Sequence, residues 1–250
     1  MNETPKVELF GIPVDNLTMD ETLRRIDRAI RQKQPLHHIA VNAGKIVAMQ
    51  QNPALKEDVL SADLINADGM GVVWASKFLG KPLKERVAGI DLMQNLLKMA
   101  ADKGYKVFLF GAREEIIRKV VEQIKDKYGK NIIAGYRNGY FSTDEEENIA
   151  RQIAGSGADM LFVGISSPKK EHFLHAHKAI LKNIPFIMGV GGSFDVLAGK
   201  VKRAPKWMQN MGMEWFYRFI QEPRRMWRRY LIGNAKFLAM VLKERIKRAY

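Results

Sequence analysis

The chain has 250 residues, 46% hydrophobic and 27% charged, with 41 Lys/Arg against 27 Asp/Glu, a net charge of +14, and no cysteine. These proportions describe a folded soluble chain able to bury one sizeable core; they exclude disulfides, thiolate catalysis and Cys-ligated zinc. No apolar run approaches the roughly 18 residues needed to span a bilayer, and the N-terminal residues show no signal-peptide pattern, so any membrane contact is expected to be peripheral.

In chain order, residues 7–14 alternate around Gly11-Ile12-Pro13 and read as a small hairpin. Thr18, with Glu21 three residues on, forms a capping box for a helix to about Lys33. A strand is predicted over 38–41, ending at Asn42. Asn52-Pro53 opens a helix, 63–66 is a short strand, and a helix passes through Trp74 to Phe78. A basic linker spans 81–89 and a helix 91–103. Then come strand 106–110, helix 114–128, strand 131–136, helix 143–154, strand 160–163, helix 168–182 and strand 185–190. Strands separated by helices of this length pair in parallel through right-handed crossovers. The predicted class is α/β, a mainly parallel, Rossmann-like sheet with helices on both faces, plus an α-helical basic C-terminal appendage. The expected division is a body over 1–200 and an appendage over 201–250.

In such sheets ligands bind beyond the carboxyl ends of the strands. Small or polar residues gather at five such ends: Asn42-Ala43-Gly44, Asn66-Ala67-Asp68-Gly69, Phe110-Gly111-Ala112, Gly164-Ile165-Ser166-Ser167-Pro168 and Gly189-Val190-Gly191-Gly192-Ser193. Glycines there can bring backbone N–H groups to a phosphate; as single turns they are equally ordinary, and neither a P-loop nor GxGxxG is present. Asp68 reads either as a general base at an uncluttered strand end or as the N-cap of the following helix. Arg86 can fork onto a diphosphate or be a surface arginine. Lys169-Lys170-Glu171 places two lysines at a helix start, where an anion would offset the unfavourable dipole. His172, His175 and His177 lack metal-ligand spacing and read as a solvated helix face. His37 and His38 precede a strand with no partner visible in sequence.

The last fifty residues hold thirteen Lys/Arg against three Asp/Glu, and three of the four tryptophans, Trp207, Trp215 and Trp227. Met211, Trp215 and Phe219 share a helical face. Arg224, Arg225, Arg228 and Arg229 follow Pro223, and Trp227, Tyr230, Leu231, Phe237, Leu238, Val241 and Leu242 continue an apolar stripe. Basic residues beside aromatic ones suit an anionic membrane surface; the alternative is a stripe packed on the body. A nucleic-acid-binding reading of the tail is disfavoured, because the arginines alternate with large apolar residues and no nucleic-acid motif is visible. A dehydrogenase reading is disfavoured by the missing dinucleotide fingerprint.

The order of Ala40-Val41-Asn42, Asn66-Ala67-Asp68-Gly69, Arg86-Val87-Ala88-Gly89-Ile90-Asp91, Gly135 with Gly139-Tyr140-Phe141, and Ser167-Pro168-Lys169-Lys170-Glu171 resembles the WecG/TagA/CpsF glycosyltransferases. So do two long runs, Gly189-Val190-Gly191-Gly192-Ser193-Phe194-Asp195 through Gly199-Lys200-Val201-Lys202-Arg203-Ala204-Pro205, and Glu214-Trp215 through Glu222-Pro223-Arg224-Arg225. The resemblance covers nearly the whole chain. It implies an inverting, metal-free and cofactor-free transfer of N-acetylmannosamine from its UDP conjugate to undecaprenyl-diphosphate-GlcNAc in wall teichoic acid synthesis. It implies a cytoplasmic enzyme, peripheral on the inner face of the plasma membrane, and homo-oligomers occur among relatives. Asp68 matches the base, Asn42 a residue of the same pocket, and Arg86 a phosphate contact. Arg218, Arg225 and Arg228 match basic residues of the appendage thought to close over the site. Ala40, Gly111, Ala112, Tyr136, Gly139, Lys170, Glu171, Gly191, Gly192 and Asp195 complete the expected substrate-binding set. Two positions depart from the family pattern: Ala40 replaces a common threonine, and Lys170 replaces the glutamine of a Pro-x-Gln-Glu motif. Both bear on the donor sugar, and a different UDP-sugar is the alternative within the family. Lys170 is expected to supply charge to the donor diphosphate.

Overall fold

A computed structural model describes residues 4–247. Its centre is a six-stranded sheet, ordered β4-β3-β8-β7-β5-β6, in which every pair is parallel. The strands are β3 (Leu36–Val41), β4 (Leu64–Ala67), β5 (Val107–Gly111), β6 (Ile133–Arg137), β7 (Met160–Gly164) and β8 (Phe186–Gly189). The central ones are apolar at nearly every position because both faces are covered. Along β5, Val107 and Leu109 enter one core cluster while Phe108 and Phe110 enter another.

Ahead of the sheet, β1 (Lys6–Leu9) and β2 (Ile12–Asp15) form the expected hairpin. Its two-residue turn, Phe10-Gly11, has both φ values positive, 55° and 74°, the backbone that matches strand twist. Buried Asp15 stitches the hairpin to the sheet by accepting from the Ile65 N–H at 2.8 Å and from Arg25 at 2.8 Å.

One sheet face is covered by α1 (Met19–Arg31), α5 (Gly89–Lys103), α6 (Glu114–Tyr128) and α9 (Ser193–Leu197). The other is covered by α2 (Ala43–Gln51), α3 (Pro53–Leu60), α4 (Met70–Phe78), α7 (Glu146–Ala154) and α8 (Lys169–Ala176). The Thr18–Glu21 capping box is present in both directions. Several spans differ from the sequence reading. Helix α2 was not expected; it forms because Asn42 caps it, accepting from the Lys45 N–H at 3.0 Å. Helix α8 ends at Ala176, and a short 3-10 turn at Leu181–Asn183 then buries Leu181 and Ile184 before β8. The strand read as 38–41 begins at Leu36, so His37 and His38 lie inside it, buried. Burial keeps both imidazoles neutral, with pKa values lowered to about 3.

The tail continues as α10 (Lys206–Asn210), α11 (Glu214–Gln221), α12 (Pro223–Trp227), a π-helical turn at Arg228–Ile232, and α13 (Gly233–Lys247). Helix α13 seats Phe237 and Val241 in the cluster that holds Leu9, Ile12, Val41 and Ile46, while its Leu238 and Leu242 are exposed. Among the described residues, no helix is long and apolar enough to cross a membrane.

Candidate functional site

Asp68 lies one residue beyond β4. Its backbone N–H donates to Val41 O at 2.9 Å, extending the β3–β4 ladder past the strand. The Val87 N–H donates to Ala67 O at 2.9 Å, folding the Arg86–Gly89 loop over the strand end. The carboxylate is therefore met by the start of α5: Oδ1 accepts from the Gly89 N–H at 2.8 Å. The N-cap of α4 is Gly69, so Asp68 is not that cap. Burial raises the Asp68 carboxyl above the ordinary range, while the Gly89 bond and the Arg86 charge pull it down. A Cβ added to Gly89 would sit 3.9 Å from Asp68 Oδ1 and 4.0 Å from Ala40 Cβ, so Ala40 borders the same space.

Asn42 stands beside Asp68, its Cβ 3.4 Å from where a Gly69 Cβ would be. Its Oδ1 is used in capping α2, which leaves the side-chain amide as the donor that the cap does not use. Asn66 is fully buried one turn of pleat below and pairs with His38 Nε2 at 3.1 Å, a structural contact.

An alternating chain of charges crosses the site. Arg86 Nη1 donates to Glu214 Oε2 at 3.2 Å, Arg203 Nε donates to Glu214 Oε1 at 3.3 Å, and Arg203 forks onto Asp91 at 2.5 and 2.7 Å. Glu214, Arg203 and Asp91 lie outside the set of site residues expected from sequence. The signal available was modest: Glu214 is one of only three acids in a basic tail.

A second charged group lies at the ends of β3, β7 and β8. Buried Glu171 Oε1 takes Lys45 Nζ at 2.7 Å and Lys170 Nζ at 3.2 Å. Burial alone would raise this carboxyl, but the two ammonium groups hold it at about 2. The Lys170 stem packs where Gly189 has no side chain; a Cβ there would lie 2.6 Å from Cε. The anion expected beside the paired lysines is thus Glu171 for Lys170, while Lys169 Nζ sits 3.6 Å from the centre of the Phe141 ring. Arg218 of α11 reaches the turn after β8: a Cβ on Gly192 would meet its Nη2 at 2.5 Å, and neighbouring Gly191 needs its positive φ of 51°. The structure therefore brings Ala40, Asn42, Asp68, Arg86, Lys170, Glu171, Gly192 and Arg218 to one end of the sheet.

Gly111, Ala112 and Gly139 form a separate group at the ends of β5 and β6. Gly139 N–H donates to Ala112 O at 2.8 Å, and a Gly139 Cβ would approach Gly111 Cα at 3.0 Å. Asp195 in α9 joins this side through its charge on Arg113. Tyr136 lies within β6 rather than beyond its end. The side chains of Arg225 and Arg228 lie outside the described residues. His172 and His175 are not merely solvated: each places Nδ1 on buried Asp58, and no metal-binding cluster occurs among the described residues.

A half-buried carboxylate with one arginine acting on it, at the strand ends of a parallel sheet, is equipped to take a proton beside a phosphorylated ligand. The sequence matches the profile of the glycosyl transferase WecG/TagA/CpsF family over residues 7–250. The chain belongs to the WecG/TagA/CpsF glycosyltransferase family. A relative from Bacillus spizizenii (strain ATCC 23059 / NRRL B-14472 / W23) is 41% identical over 193 residues, 77% of this chain and 73% of that one. Another, from Bacillus subtilis (strain 168), is 39% identical over 218 residues, 83% of each. Both are named N-acetylglucosaminyldiphosphoundecaprenol N-acetyl-beta-D-mannosaminyltransferase. As a WecG/TagA/CpsF glycosyltransferase, the chain places its family motifs at the carboxyl edge of the sheet and in the helices of its tail.

Proposed function

We propose that this glycosyltransferase moves N-acetylmannosamine from UDP-N-acetylmannosamine to undecaprenyl-diphosphate-linked N-acetylglucosamine, with inversion, for wall teichoic acid or a related surface polysaccharide. The observation that carries the mechanism is Asp68, a half-buried carboxylate beyond β4 with Arg86 nearby and Arg218 brought over from the tail to the turn after β8. Asp68 accepts the proton of the acceptor hydroxyl as that oxygen attacks the anomeric carbon. The bond to the UDP oxygen breaks on the opposite face. The charge that develops on the diphosphate is met by arginine, lysine and backbone donors, a role for Arg86, Arg218 and Lys170. Asn42 orients the acceptor through its amide.

The names of the two relatives support the acceptor, whose diphosphate lies at a bilayer surface. The tail suits that location. Trp207, Met211, Trp215, Phe216, Ile220, Trp227, Leu231 and Ile232 are all exposed large apolar side chains, set among basic ones. Each Lys/Arg near an acidic leaflet contributes about 1 kcal/mol.

Transfer from a panel of UDP-sugars to a short-chain polyprenyl-diphosphate N-acetylglucosamine tests the reading, with Asp68→Asn alongside. The expected result is product with UDP-N-acetylmannosamine and a loss of about a thousandfold in the variant. Because burial holds the Asp68 carboxyl up, kcat/KM should fall on acidification at a pH above the ordinary carboxylate range. Product with another sugar alone would correct the donor, and an active Asp68→Asn would remove the base.

A further inference from the structure

Glu214 has no role in the reaction described above, yet it sits inside the site. It is the first residue of α11, and its two oxygens take one arginine each: Arg86 at 3.2 Å and Arg203 at 3.3 Å. Arg203 has a second and tighter hold, its fork onto Asp91 at 2.5 and 2.7 Å. Arg86 has no second carboxylate partner among the described residues. Of the single charges acting on Asp68, that of Arg86 has the largest effect, ahead of Glu214, which opposes it, and Lys45. Those three, from the loop before α5, from α11 and from α2, are the charged groups with the largest effect on Asp68. Oδ1 of Asp68 is held by the Gly89 N–H, and no hydrogen bond reaches Oδ2 among the described residues.

The Val87 N–H to Ala67 O bond, at 2.9 Å, joins the residues next to Arg86 and Asp68, and a guanidinium and a carboxylate brought to neighbouring positions pair readily unless another anion holds the cation. Pairing would weaken Asp68 as a base and withdraw Arg86 from a phosphate. Resting on the transfer reaction proposed above, we propose that Glu214 is a positioning residue. By taking Arg86 on one oxygen and the Asp91-anchored Arg203 on the other, it keeps Arg86 off Asp68 and ties the first turn of α11 to the loop of the base. The tail then contributes to the chemistry of the site as well as covering it: seating α11 brings the Glu214 carboxylate in, and with it the geometry Asp68 needs.

The test uses the full chain with 13C-labelled aspartate. The Asp68 carboxyl signal, assigned by its loss in Asp68→Asn, is titrated in wild type, Glu214→Gln and Glu214→Asp. In Glu214→Gln the Asp68 midpoint should move to lower pH, since a neighbouring negative charge is lost and Arg86 is released toward Asp68. Turnover should fall about tenfold, with the KM for UDP-sugar changing less, because a weaker base slows proton transfer more than it slows binding. Glu214→Asp should recover most of both effects. An Asp68 midpoint that stays in place or rises in Glu214→Gln overturns the assignment. So does tighter UDP binding with undiminished turnover, which would make Glu214 a mere stand-in for phosphate. If wild type transfers no UDP-sugar, the transfer reading fails while the titration still decides the role of Glu214.

Discussion

Helices α11 and α13 belong to the same basic tail but are held by opposite means. Helix α11 has no buried residue; its links are polar: Glu214 pairs with Arg86 and Arg203, Arg218 lies against the Gly192 turn, and Gln221 exchanges hydrogen bonds with the Lys202 backbone at 3.1 and 3.0 Å. Helix α13 buries Phe237 and Val241 among Leu9, Ile12 and Ile46, with Phe237 edge-on to Phe10 at 5.7 Å. Apolar burial has no competitor in solution. An ionic contact has two, salt and any anionic ligand that offers the same arginines a phosphate. The tail thus joins a fixed end to an exchangeable one, and the exchangeable end lies over Asp68.

The sharpest way to break this comparison is Phe237→Ala. If α13 is part of the core, truncating a side chain only 6% exposed should cost about 3 kcal/mol of stability. Leu238→Ala, one position on and exposed, should stay within about 0.5 kcal/mol. Chemical denaturation of the two variants reads the difference. Equal midpoints would show a body that folds independently of the tail, as a division after residue 200 would have it.

A smaller effect is expected from Gly192→Ala. The Gly192 backbone, with φ of −79°, accepts an alanine without strain. The new methyl group conflicts only with the flexible end of Arg218, at 2.5 Å. Stability should hardly change while Arg218 is pushed off the turn. Loss of one charge-assisted contact to a phosphate then raises the KM for UDP-sugar about tenfold. An unchanged KM would mean that Arg218 serves only to hold α11 in place.

The sheet was legible because its signal is local. Val107–Phe110 and Met160–Val163 are short apolar runs between amphipathic helices, and their parallel pairing follows from connection length. Asp68 was legible as a candidate because it follows such a run, although its cap reading was wrong: the next residue, Gly69, takes that position. Helix α2 is not legible in sequence because Ala43-Gly44-Lys45 carries no strong period, and its real start signal, Asn42, reads there as a strand end and a pocket residue. That omission hid Lys45 and its buried pair with Glu171. Glu214 was harder still. It meets Arg86 across 128 residues of chain, and nothing in local spacing tells a carboxylate in a basic tail which arginine it will find. The stripe at 237–242 was visible as apolar, but which of Phe237 and Leu238 faces the body depends on the angle at which α13 docks, and only tertiary packing fixes that.

Salt should separate the two helices with the smallest effect and the least disturbance. At 1 M salt the screening length falls to about 3 Å, comparable to the 3.2 and 3.3 Å contacts that hold Glu214. Exposed and half-exposed ion pairs of this kind are each worth about 1 kcal/mol or less, so amide exchange in Glu214–Gln221 should quicken only a few-fold. Apolar contacts are not weakened by screening, so exchange in the Phe237–Val241 turn of α13 should hold steady. UDP at low salt competes for the same arginines and should loosen Glu214 without loosening α13; if Arg218 or Arg86 then grips the diphosphate, the rest of α11 tightens. Exchange that quickens equally in both helices would mean that the tail moves as one piece, and that the ionic end is no more exchangeable than the apolar one.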